Sequence, residues 1–226
     1  MIYILVIAIV LAIVVLPGMW VKRTLNKYSV DYDALPGTGG ELATHLINRF
    51  ELPVTLETTE TGDHYDPQAQ VVRLSEAFMN GRSLSAVAVA THEVGHAIQH
   101  HKNYGLLGLR TRLAGAAMKA ERLGSAAFVF LPLLAIISRS PTLSGTLLAV
   151  AVGSMFLGVL VHLVTLPVEW DASFNRALPI LEEGNYLNDQ EMKIARKILL
   201  AAALTYVAGA LLSLVNIWRW IYLLRR

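Results

Sequence analysis

The chain has 226 residues, 54% of them apolar and 16% charged, with a mean hydropathy of +0.49. That composition excludes an ordinary soluble globule, and a net charge of +2 without a basic block argues against a nucleic-acid partner. The absence of cysteine removes disulfides, thiolate catalysis and thiolate metal sites, so any metal must be held by His, Asp and Glu.

Four stretches carry no charged residue: 1–21, 123–138, 140–168 and 198–218. About 20 apolar residues cross the roughly 30 Å hydrocarbon core of a bilayer. The pattern therefore predicts a mainly α membrane protein of about four transmembrane helices. These are an anchor over 1–21, helices over 113–138 and 141–166, and a fourth with an interfacial tail over 198–226. The second run is short and contains Pro132, so it borrows residues 113–120. The first lacks a basic n-region and a small-residue cleavage site and reads as an uncleaved anchor. Lys22, Arg23 and Lys27 follow it directly, which places the amino terminus outside and residue 22 onward in the cytosol. Fifteen basic residues then lie on cytosolic stretches, against Arg139, Arg219, Arg225 and Arg226 elsewhere. Trp218, Trp220 and Tyr222 read as an interfacial aromatic belt, which leaves the side of the carboxy terminus open.

Residues 22–112 form a small module of mixed character. Leu42, Ala43, Leu46, Ile47 and Phe50 recur at helical spacing and predict a helix over 40–50. Residues 53–58 and 70–74 read as strands on either side of the turn-rich stretch 62–67, and predict a β-hairpin. From Ser83 the period becomes helical again, with Ser83 or Ser85 as cap, to about His101.

That last helix carries His92-Glu93-Val94-Gly95-His96, the HExxH pattern. Imidazoles four residues apart stack on one helix face and can hold one zinc at about 2.0–2.1 Å, with Glu93 as general base. Gly95 is read as leaving room beside the ion. A catalytic zinc normally takes three protein ligands and a water. The metzincin extension would need Gly at 99 and His at 102, where the chain has Gln99 and Lys102. Glu169, just past the third predicted span and returned to the side of the HExxH helix, is the expected third ligand. The module is thus expected to be an α+β zincin-like module, bearing a β-hairpin and completed by a segment over 167–197. One Zn2+ per chain would be held by His92, His96 and Glu169 in a gluzincin-type set. Ligating imidazoles give their second N–H to a carboxylate or carbonyl. Asp171 is nearest for that role. In related membrane gluzincins an Asp lies four residues after the ligand Glu, where this chain has Ser173, so Asp171, Ser173 and Asn175 all stay open. Arg176 is a candidate for substrate or oxyanion contact, as are His64 and Tyr65. Residues 70–74 are expected to serve a substrate as an edge strand. His100 extends the ladder of His92 and His96 too far along the helix for the same ion. His162 is an ionisable group at membrane depth, and His45 and His101 read as surface residues.

The stretches 63–67, 72–75, 92–99 and 166–169 with 171–173 together resemble the bacterial neutral zinc metallopeptidases of the YugP type, over nearly the whole chain. The resemblance implies a multi-pass zinc metallopeptidase of the plasma membrane. The resulting expectation is an endopeptidase with a cytosolic catalytic module, in which zinc activates water and Glu93 takes its proton. Its substrates would be membrane or membrane-proximal polypeptides. The alternative is a non-enzymatic membrane assembly factor or chaperone with a structural zinc. A site-2-type intramembrane protease is disfavoured because no Asp-Gly dipeptide exists and the HExxH helix is flanked by Arg82 and by His100, His101 and Lys102. A di-iron protein would need a second Glu-x-x-His pair.

Overall fold

The computed structural model describes the backbone of residues 2–138 and 140–224 and, within those, the side chains of 15–127, 142–204 and part of the remainder. The chain is mostly helical with one small sheet. In order come α1 (Ile2–Lys27), α2 (Gly39–Arg49), β1 (Thr55–Thr59), β2 (His64–Asp66), β3 (Val71–Ser75), α3 (Glu76–Met79), α4 (Leu84–His101), α5 (Gly105–Ser138) and α6 (Pro141–Trp170). A π-helical segment (Asp171–Ala177), α7 (Leu178–Glu183) and α8 (Asp189–Leu224) complete it.

Among the described residues, two helical stretches are long and apolar enough to cross a membrane, Thr142–Glu183 and Asp189–Leu214, where four spans were expected. Their most apolar windows have mean hydropathies of 2.4 and 1.9, and only 11% of the first is buried, which is unlike the core helix of a soluble protein. The expected spans over 1–21 and 113–138 fall on α1 and α5, helices that include side chains outside those described. Arg139 and the side chains of Trp218, Arg219, Trp220, Tyr222, Arg225 and Arg226 also lie outside them.

The chain divides into two units. One comprises 1–14, 108–166 and 206–226; the other comprises 15–107 and 167–205 and contains all of the sheet and the HExxH helix. In this second unit local signals set the helix starts. Thr38 and Glu41 form a capping box at α2, with Glu41 N donating to Thr38 Oγ1 at 3.2 Å and Thr38 N to Glu41 Oε2 at 2.7 Å. Ser83 Oγ accepts from Ala86 N at 3.1 Å and caps α4. Leu46, Val72, Leu74, Val94 and Ile98 fill one cluster, and Val87, Leu181, Ile198 and Leu199 fill another. Helix α4 contributes to both, which is why it is buried almost all round from Leu84 to Gln99.

The expected hairpin between 53–58 and 70–74 is corrected. Those strands do pair, but in parallel, Thr55 beside Val71 through Thr59 beside Ser75. A parallel pair needs a crossover. Here it is supplied within the stretch read as a turn, because His64–Asp66 forms a third strand antiparallel to β3, giving the order β1-β3-β2. The true hairpin is β2 to β3. Asp66 builds its turn by accepting from Gln68 N at 2.9 Å and Ala69 N at 3.1 Å, and Gln70 takes a positive φ of 56°. The expectation that 70–74 offers an edge to substrate fails for the same reason: β3 is central, paired on both sides.

The Ala69 N–H first, and the Arg73 guanidinium at 2.9 Å next, hold the Asp66 carboxyl below its usual range. A depressed carboxyl contributes stability above its unfolded pKa and loses it as pH falls through the folded one. Amide protection at Gln68 and Ala69 is therefore expected to hold near neutrality and fall below about pH 4, read by hydrogen exchange corrected for intrinsic rates. Asp66→Ala should lower it near neutrality and remove most of its fall below about pH 4.

Candidate metal centre

The HExxH residues lie in the middle of α4, and His92, Glu93 and His96 are all buried. The third group comes from the end of α6. Glu169, 2% exposed, brings Oε2 to 3.2 Å from His92 Nε2 and 3.5 Å from His96 Nε2. One atom from each of these residues lies within 4.8 Å of the other two. Ligands about 2.0–2.1 Å from a tetrahedral zinc stand about 3.3–3.4 Å apart, so two nitrogens and one oxygen at these separations fit that ion.

The second imidazole nitrogens are also engaged. His92 Nδ1 meets Ser173 Oγ at 3.1 Å, and His96 Nδ1 meets Gln99 Oε1 at 2.9 Å. Ser173 thus occupies the place that the four-residue spacing from Glu169 suggests. Asp171 does not touch a ligand histidine; it accepts from Gln99 Nε2 at 2.8 Å, Arg176 Nε at 2.7 Å and Asn175 Nδ2 at 3.2 Å. Asn175 and Arg176 therefore belong to the surroundings of Asp171, and the Arg176 guanidinium also lies 5.7 Å from the centre of the Tyr104 ring. Gln99 was missed as a site residue. Its signal was its place one turn beyond His96, which sequence reasoning used only to reject a metzincin.

The Asp171–Ala177 segment is π-helical, a wide turn often found at functional sites. Gly95 lets it approach. A Cβ built on Gly95 would stand 2.9 Å from the Ala172 carbonyl oxygen, so the glycine makes room for backbone, not for the ion as expected. Gly95→Ala gains about 0.5–1 kcal/mol of helix propensity but overpacks this contact at a cost of about 1–3 kcal/mol. The expected outcome is a lower unfolding temperature together with weaker zinc binding, checked by thermal unfolding and zinc titration.

Glu93 is not hydrogen-bonded to either ligand histidine. Burial pushes its carboxyl up to about 7, with the charges of Glu169 and Asp63 adding to the rise, while His92 and the Tyr65 backbone N–H oppose it. Tyr65 reaches the site through that N–H. Its hydroxyl, kept protonated by burial and then by Asp66, which raise its pKa to about 12, is spent on His100 Nδ1 at 2.7 Å. His64 is not brought to the site. Strand alternation puts it with Asp66 and Arg73 on the face opposite Tyr65, where Nδ1 meets Gly62 O at 2.7 Å. His45 and His101 are exposed, and His162 belongs to the other unit, beside Gly209.

A family model described as "Putative neutral zinc metallopeptidase" matches residues 2–225. The chain belongs to that family. It is 39% identical over 206 residues to a protein named "Putative membrane protease YugP" from Bacillus subtilis (strain 168), covering 89% of this chain and 87% of the relative. No solved structure matches.

Proposed function

We propose that the protein is a membrane-bound zinc endopeptidase that cleaves membrane or membrane-proximal polypeptides, with one zinc per chain held by His92, His96 and Glu169. The observation that carries this reading is the convergence of two imidazole nitrogens and one carboxylate oxygen at 3.2 and 3.5 Å, with Glu93 buried beside them. When bound, zinc lowers the pKa of a ligated water to about 7 and polarises a carbonyl.

Glu93 is the general base and then the acid. A carboxyl near 7 takes a proton at neutral pH and returns it to the leaving amine in the same cycle. Burial of Glu93 and the ligand set excludes competing water and strengthens each charge interaction. Glu169 also supplies a negative charge against two imidazoles. The outer edge of β2 is the strand edge nearest the chemistry, and its Tyr65 N–H is given to Glu93.

The test is metal analysis of the purified full-length protein with cleavage of an unstructured polypeptide tethered to the same vesicles. Zinc near one per chain, cleavage abolished by a chelator and restored by zinc, is the expected result. Stoichiometric zinc with no cleavage of any tethered polypeptide would favour the structural-zinc assembly factor.

A further inference from the structure

Gln99 is fully buried and has no exposed polar atom to satisfy by water. Its amide nitrogen donates at 2.8 Å to the Val168 carbonyl and at 2.8 Å to Asp171 Oδ2. Both partners are pure acceptors, a backbone carbonyl and a carboxylate. The opposite amide orientation would set oxygen against oxygen twice, so the chemistry of the neighbours determines which way the amide points. Oε1 is thereby turned to His96 Nδ1 at 2.9 Å. An amide oxygen only accepts, so His96 Nδ1 must carry the proton. With Nδ1 holding its proton, Nε2 is the nitrogen left to a metal, and it is the atom facing Glu169.

His92 is held differently. Its Nδ1 meets the Ser173 hydroxyl at 3.1 Å, and a hydroxyl can donate or accept by rotating. The partner at Nδ1 therefore fixes a proton on that nitrogen in His96 but not in His92, whose Nε2 stands 3.2 Å from the Glu169 carboxylate. Asp171, which orients Gln99, is itself held by Arg176 and Asn175, and Arg176 lies over Tyr104.

We infer that Gln99 is a positioning residue that holds a proton on His96 Nδ1 and so reserves Nε2 for the metal, and that Asp171, held by Arg176, keeps the Gln99 amide in the orientation that does so. The inference deepens the proposed metal site and rests on it. Because the Gln99 contacts exist without metal, Nε2 is the nitrogen a metal meets, and the Nδ1 proton stays in place as it binds.

The test uses full-length protein in detergent micelles with 15N-labelled histidine, stripped of metal. Two-bond proton–nitrogen correlation is expected to place the His96 proton on Nδ1 in the wild type. In Gln99→Leu that preference should be lost, and zinc affinity, read by chelator competition, should fall about 10- to 100-fold, the range for outer partners of ligating histidines. A wild-type His96 with its proton on Nε2 and none on Nδ1, or a Gln99→Leu protein with unchanged proton position and zinc affinity, overturns the inference. If Gln99→Leu does not fold, Asp171→Ala decides, because it removes the side-chain acceptor that orients the amide and leaves Gln99 in place. A weaker Nδ1 preference with lower zinc affinity supports the inference, and both unchanged overturns it. A wild type that binds no zinc at all would end the metal reading, whereas the position of the His96 proton would still decide what Gln99 does.

Discussion

Glu93→Gln is expected to lower peptide-bond hydrolysis by about 100- to 10,000-fold, the usual worth of a positioned general acid–base, while zinc content stays at the wild-type level. The amide is nearly isosteric with the carboxylate and can still accept from the Tyr65 N–H that Glu93 now receives. What it cannot do is take a proton. Burial that raises the carboxyl also makes the neutral amide easy to accommodate, so the unfolding temperature should not fall. The measurement is single-turnover cleavage of a vesicle-tethered polypeptide beside metal analysis of the same preparation. Retained cleavage with retained zinc would remove Glu93 from the chemistry and leave the structural-zinc alternative standing.

Glu169→Ala is expected to act on the metal itself. Among the described residues it removes the one carboxylate grouped with both imidazoles and leaves a two-nitrogen site, which is below the three ligands a catalytic zinc normally takes. Zinc affinity should fall by more than about 100-fold, past the range for losing an outer partner, and hydrolysis should fall with it at ordinary zinc concentrations. Chelator competition measures the first and zinc titration of activity the second. The two variants are diagnostic as a pair: one loses turnover and keeps metal, the other loses metal. Equal zinc affinity in Glu169→Ala and wild type would move the third ligand elsewhere.

Much of the site was legible because its parts are local or scarce. His92 and His96 share a helix face through their four-residue spacing alone, and Ser83 announces where that helix begins. With no cysteine and few acids beyond the helix, a third ligand had a short roll of candidates, and Glu169 was the one proposed. Ser173 was one of three candidates for a partner of the two imidazoles, and only the fold chose it for His92. The rest was hidden for physical reasons. The 62–67 stretch has turn chemistry at four of its six positions, and nothing in it says that three of its residues pair with β3. Gln99 looks like any helix glutamine until α6 supplies the Val168 carbonyl and the π-helical segment supplies Asp171. Gly95 looks like a concession to the ion until the Ala172 carbonyl is seen against it.

The sequence by itself determined the long apolar helical stretches, the two stacked imidazoles with Glu93 beside them, and the restriction of any metal to His, Asp and Glu donors. These depend on composition and on spacings within a single helix, which hold whatever the chain does elsewhere. The tertiary structure alone decided that Glu169, 77 residues from His92, faces both imidazoles, that β3 is a central strand, and that Gln99 and Asp171 form one hydrogen-bonded chain onto His96. Those are contacts between segments distant in sequence. Their existence depends on how buried surfaces close on one another and on which donors are left for which acceptors once they have closed.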